Sequence, residues 1–133
     1  MRLAAAAASL VCVLMAAGVV IPPRASVAQQ DASARGRAVF EARCASCHAL
    51  EPGRDGMAGP SLAGLIGRHV AGDPAFGYSP ALEAARAQVW DARMLDRFLA
   101  DPEEMFPGLW MGENGVRDAA DRDAVVRFLS GGG

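Results

Sequence analysis

The sequence predicts a small all-α domain, about four helices wrapped around a flat apolar centre that the side chains alone do not supply. Three observations carry that reading. Apolar residues recur at helical spacing in separate stretches, and alternating β-branched runs are too few for a substantial sheet. The segments between the helical stretches, above all Glu51 to Gly77, are rich in Gly and Pro. The helical faces are therefore too few to fill a large aliphatic core, and helices packed round a flat apolar cofactor would resolve the shortage.

The first helix is expected over about Ser33 to Cys44, with Ser33 as cap and Gly36, Val39, Phe40 and Arg43 at helical spacing. The second is short: Ser79 caps it, Pro80 suits its first turn, and it reaches about Ala87. The third covers about Asp91 to Ala100, where Met94, Leu95, Phe98 and Leu99 form the stripe and Asp101-Pro102 stops it. The fourth covers about Ala119 to Ser130. Asp118 caps it, Asp121 and Asp123 suit the positive end of its dipole, and Val125, Phe128 and Leu129 face inward. Gly131 to Gly133 are expected to end the chain without structure.

Before the first helix lies a different kind of segment. Met1-Arg2 is a minimal basic start, Leu3 to Ile21 is an uncharged run of 19 residues, and Ser26-Val27-Ala28 is a small-x-small site. We read residues 1–28 as a secretory signal peptide and residues 29–133 as the domain, with an uncleaved membrane anchor as the rival. Alanine richness and Pro22-Pro23 favour cleavage.

The expected mature chain of about 105 residues is small enough to need a staple, a metal or a cofactor. It contains no lysine, because all 13 basic residues of the full chain are arginine. Without Arg2 and Arg24 it carries a net charge of about −4 at neutral pH. That balance argues against nucleic acid or an anionic membrane surface as a partner. A monomer is expected, touching a membrane only if the N-terminal segment is retained.

Cys44-Ala45-Ser46-Cys47-His48 is the haem attachment pattern C-x-x-C-H. Thiols three positions apart can reach the two vinyl groups on one edge of a haem, and the next residue then swings its imidazole beneath the ring. One covalent haem c would thus occupy the apolar centre. A zinc site needs four ligands, and here one cysteine pair has only His48 and His69 as further candidates. A redox dithiol would be expected beside a βαβ pattern, which the sequence lacks.

The second axial ligand must come from elsewhere. His69 follows Arg68 in a Gly-rich loop and is expected to be exposed. Beyond the signal the methionines are Met57, Met94, Met105 and Met111. Met94 lies on an apolar helical stripe, and Met57 is too near His48 in sequence to cross the ring easily. Met105 and Met111 flank Pro107-Gly108, a turn that could carry a thioether to the far face. Spacing alone does not choose between them.

Further residues follow a familiar order. They are Gly36-Arg37-Ala38-Val39-Phe40, then Cys44 to His48, then Gly59-Pro60-Ser61-Leu62-Ala63-Gly64-Leu65-Ile66-Gly67-Arg68. Tyr78, Val89-Trp90, Asp101-Pro102, Pro107-Gly108-Leu109-Trp110-Met111 and Asp121-Arg122 complete the order. From about Arg35 to Leu129 the chain resembles class I c-type cytochromes, in the branch of mitochondrial-type cytochrome c and bacterial cytochrome c2. The resemblance implies the small cytochrome c fold and assigns roles by position. His48 and Met111 would ligate iron, and Met105 would border the distal pocket. The Pro60 carbonyl would orient His48, while Arg68, Tyr78 and Trp90 would hold a haem propionate. Gly36 and Phe128 would mark the crossing of the first and last helices.

Two departures from the family pattern matter. Leu82, Met105 and Leu109 stand where the family has polar crevice groups, an asparagine, a tyrosine and a threonine. A drier crevice disfavours the extra charge of ferric haem and implies a raised reduction potential. The lysines that commonly ring the haem edge are missing, and Trp110 stands where a lysine usually precedes the methionine.

His/Met ligation closes both faces of the iron and favours electron exchange through the ring edge. The expected function is therefore a periplasmic one-electron carrier and not an enzyme. Its expected partners are a quinol-oxidising complex or dehydrogenase as donor, and an oxidase, peroxidase or photosynthetic reaction centre as acceptor. The rivals are a dedicated haem subunit of a periplasmic dehydrogenase and a small-ligand-binding haem protein.

Overall fold

A computed structural model describes residues 24–131 apart from Asp55 and Glu113. The apolar run from Leu3 to Ile21, and with it the choice between signal and anchor, lies outside those residues, as do Gly132 and Gly133. The described elements are α1 (Arg24–Arg43), α2 (Pro80–Ala84), α3 (Ala92–Ala100), α4 (Pro102–Met105) and α5 (Ala119–Leu129). Extended pairing among the described residues is confined to an isolated antiparallel bridge between His69 and Val89. Among them no helix is long and apolar enough to cross a membrane.

The expected helices form, with shifted ends. Helix α1 starts nine residues before Ser33, since Ala25 to Ala32 contain no glycine or proline to stop it. Helix α2 ends at Ala84, not Ala87, in hydrogen-bonded turns that include Gln88 N–H donating to the Ala85 carbonyl at 2.9 Å. Ser79 precedes it without making a side-chain cap bond. Asp91 does cap α3, accepting from the Met94 amide at 2.7 Å, and Asp118 caps α5, accepting from the Asp121 amide at 2.8 Å.

Helix α4 is an element the sequence reading treated only as a stop. Asp101-Pro102 does end α3, but Asp101 also accepts from the Glu104 amide at 3.0 Å and Pro102 opens the new turn. Gly131, expected to be structureless, has φ +81° and donates to the Phe128 carbonyl at 3.2 Å. It is the left-handed residue that closes α5.

The packing is built on the crossing of α1 and α5. Gly36 lets the two backbones meet there: a Cβ at this position would collide with the Ala124 carbonyl oxygen and stand 2.6 Å from Phe128 Cβ. Phe40 packs against Phe128 with ring centroids 5.9 Å apart, and Arg35 pairs with Asp121 at 2.7 Å on the outer side. Helix α3 joins α5 through Arg122, whose side chain reaches Asp96 at 2.7 Å and the Val116 carbonyl at 3.1 Å. Trp90, Phe98 and Phe106 form an aromatic cluster, with the Trp90 and Phe98 centroids 5.1 Å apart. The core wraps one side of an inner cavity, and the Gly/Pro-rich loops close the other.

Candidate functional site

The stretch after α1 folds back on itself. The amides of Cys47 and His48 both donate to the Cys44 carbonyl, at 3.0 and 2.9 Å, in a tight turn. The Gly59 amide donates to the Cys47 carbonyl at 2.8 Å, pinning the next loop beneath the turn. Position 59 must be glycine at this approach, because a Cβ would strike the His48 ring. Both cysteines are half-buried, and no disulfide joins them. Burial pushes the Cys44 thiol up, and neighbouring Arg43 partly offsets this.

His48 is held through one nitrogen. Its Nδ1–H donates to the Pro60 carbonyl at 2.8 Å. A carbonyl oxygen can only accept, so Nδ1 carries the proton and Nε2 the lone pair. Burial also lowers the imidazole below its ordinary value, with the Pro60 bond opposing, so the ring is neutral at pH 7. The loop that supplies Pro60 is fixed in turn by Leu62 N–H to the Ala49 carbonyl at 2.8 Å and by Ser61 Oγ to the Glu51 carbonyl at 2.9 Å.

Cys47 and His48 open onto a cavity of about 320 Å³. Its walls are mostly apolar, with Leu65, Leu82, Trp90, Leu95, Phe98 and Leu109 among them. Met111 also lines it, whereas Met57, Met94 and Met105 do not. The turn that delivers Met111 is set locally: Leu109 N–H donates to the Phe106 carbonyl at 3.1 Å across Pro107 and Gly108, and Gly108 has φ +82°. Proline at the second position and left-handed glycine at the third are what a type II turn requires. Met94 and Met105 pack against the hydrophobic core, as Met111 also does, but they do not border the cavity.

Polar groups gather in another part of the wall, formed by Arg68, Tyr78 and Ser79. The Arg68 guanidinium donates through Nη2 to the Ser61 carbonyl at 2.8 Å and through Nη1 to the Ala63 carbonyl at 3.3 Å. Its Nε is buried without a partner, as is Ser79 Oγ. Tyr78 accepts from the Asp73 amide at 3.3 Å, so its own proton remains to be donated. Burial raises the Tyr78 phenol, which is therefore protonated at neutral pH. Buried donors without acceptors are costly, and the two at this cavity wall, with the half-buried Tyr78 hydroxyl beside them, fit the carboxylate of a bound molecule. Ser79 was read from the sequence as a helix cap. Its position before Pro80 gave that signal, and nothing in the local pattern distinguished a cap from a cavity wall.

The expected site residues thus come together. Cys47, His48, Pro60, Arg68, Tyr78, Trp90 and Met111 line one cavity, and Cys44 packs against the adjoining core. His69 stands at the rim, exposed, with Nδ1 donating to the Arg86 carbonyl at 3.1 Å. A wider open groove of about 830 Å³, between the start of α1 and helices α3 and α5, contains none of these residues. No cluster of three metal-binding side chains occurs among the described residues.

Comparison with known proteins decides what the cavity holds. The sequence profile of the cytochrome c family matches residues 33–132. Cytochrome c2 of Agrobacterium tumefaciens is 37% identical over 98 residues, covering 72% of this chain and 87% of the relative. Cytochrome c2 iso-1 of Magnetospirillum molischianum is 42% identical over 89 residues, 65% of this chain and 87% of the relative. Cytochrome c of the plant Stellaria longipes is 35% identical over 95 residues, 71% and 87%. The chain belongs to the cytochrome c family. It is an all-α, single-haem electron carrier rather than an enzyme, and its cofactor is covalent haem c. The residues present fit that group: a pair of thiols on one turn, a neutral imidazole, an apolar cavity and buried donors for a carboxylate. Apolar side chains where solvent would otherwise enter favour the less charged ferrous state.

Proposed function

We propose that this cytochrome is an exported, periplasmic one-electron carrier with His48 and Met111 as the axial ligands of its iron. The observation that carries the ligand assignment is that Met111, alone of the four methionines after the N-terminal segment, borders the cavity shared by His48. Bound haem supplies a single reversible electron, with ferric iron the oxidised and ferrous iron the reduced form. Cys44 and Cys47 would hold the ring, Pro60 fixes the His48 tautomer and orientation, and Arg68, Tyr78 and Trp90 would hold a propionate. With both axial positions filled, the side chains need little rearrangement between redox states.

Residues 1–28 act in this reading as the signal and 29–133 as the working domain. The small-x-small site, the apolar run and the bacterial cytochrome c2 relatives support it. Cleavage after Ala28 would leave α1 to begin near Gln29. The carrier accepts from a quinol-oxidising complex or a dehydrogenase, and delivers to an oxidase, a peroxidase or a reaction centre.

Carbon monoxide mixing tests the closed iron. The reduced, exported protein should bind carbon monoxide slowly or not at all at neutral pH, and its mass should correspond to a chain starting at Gln29. Rapid binding would instead favour a small-ligand-binding haem protein. A retained N-terminus would make the carrier membrane-anchored.

A further inference from the structure

Trp110 lies in a hydrogen-bonded turn and yet faces water. It is 71% exposed, while its neighbour Leu109 is 5% exposed and Trp90 is 7% exposed. The backbone on each side is fixed. Leu109 N–H closes the turn to Phe106, and Asn114 Nδ2 donates to the Met111 carbonyl at 2.7 Å. An indole held rigidly in solvent loses little conformational freedom when something covers it, which is how aromatic anchors of protein interfaces behave.

Charge at the cavity rim is arranged to match. No Asp or Glu among the described residues lines the cavity, although the chain has 15 acidic residues against 13 basic ones. The exposed residues at the rim are Arg43, Ser46, Ala58, His69, Trp110 and Asn114. Carboxylates away from this mouth are drawn into ion pairs, among them Glu83 with Arg86, Asp123 with Arg127 and Asp96 with Arg122. Among the described residues the mouth therefore has neither a ring of lysines nor a ring of acids. Tryptophan and arginine present with acids depleted is the composition of an interface centre.

We propose that Trp110 anchors the electron-transfer face of this cytochrome. The partner it fits is a redox protein whose electron-entry edge is an apolar pocket bordered by a carboxylate facing Arg43, and not a broadly acidic surface. The proposal rests on the carrier reading above. In the docked pair one electron passes from ferrous iron to a metal centre of the partner. The iron is oxidised and the partner's metal reduced by one unit, and no atom moves.

The test compares the wild type with Trp110→Ala and Trp110→Phe. Each reduced protein is oxidised by oxidase-bearing membrane vesicles of the producing organism, and separately by a small cationic cobalt(III) complex that needs no docking face. Trp110→Ala should slow vesicle oxidation about tenfold or more below saturation, with Trp110→Phe regaining most of it. The cobalt reaction should be unchanged. The wild-type vesicle rate should vary less than about twofold between about 20 and about 500 mM salt. Equal rates for wild type and Trp110→Ala, an equal loss with the cobalt complex, or a steep fall with salt would each overturn the proposal. Vesicles that oxidise none of the proteins would sink the oxidase reading alone. Oxidation by a small soluble copper protein whose electron-entry edge is an apolar patch bordered by a carboxylate then decides: slower oxidation of Trp110→Ala upholds the anchor and equal rates overturn it.

Discussion

At position 59 any side chain would meet the His48 imidazole, and at position 60 a carbonyl accepts the proton of that same ring. Orientation, tautomer and neutrality of His48 thus come from two adjacent backbone positions and the burial they create. The C-x-x-C-H pattern was legible because its spacing is itself the chemistry. The second ligand was less so. Met105 and Met111 flank one turn, and only the path of that turn separates a cavity wall from a core contact. Ser79 stands at the cap position of α2, as its local pattern indicates, but its hydroxyl makes no cap bond and lines the cavity, an environment set by residues far away in sequence. Leu109, 5% exposed and two residues before Met111, brings an apolar group into the cavity wall. A hydroxyl there would stabilise the more charged ferric state, so Leu109→Thr should lower the midpoint potential. Potentiometric titration checks this, and an unchanged or higher value would remove the dry crevice as a cause.

Helices α1 and α5 stake their contact on one missing atom. Gly36→Ala places a methyl group against the Ala124 carbonyl and Phe128, and should cost about 1–3 kcal/mol in denaturant unfolding of the haem-loaded protein. The same substitution on an exposed helix surface would be stabilising by helix propensity, so the sign of the change reports the crossing itself. The helices were legible in outline because their periodicity and Asp caps are local signals. Their ends were not. Nothing from Ala25 to Ala32 halts α1, and Asp101 serves as the end of α3 and the cap of α4 at once. A short helix with proline at its start and four residues in all has too little periodicity to be seen in a sequence.

For the molecule as a whole, the scarcity of aliphatic core noted in the sequence becomes a cavity of about 320 Å³ in the structure. Left to water, its mostly apolar walls would forfeit the burial that holds so small a domain together. The haem is accordingly part of the core. Cys44→Ala/Cys47→Ala should yield a chain whose haem is extractable by acidic organic solvent, and which then loses its cooperative thermal transition. A sharp transition in the extracted protein, followed by near-ultraviolet circular dichroism, would show that the side chains suffice without the ring. Charge is also a property of this scale. With no lysine in the chain and no acid among the described residues that line the cavity, the docking proposed above relies on contact at Trp110 rather than on long-range steering.

The central claim is that His48 and Met111 together close the iron, and the far-red spectrum of the ferric protein tests it most directly. A methionine-to-iron charge-transfer band should be present in the wild type, persist in Met105→Ala and vanish in Met111→Ala. A wild type without the band, or a Met111→Ala variant that keeps it, would contradict the assignment and put an open or differently ligated iron in its place.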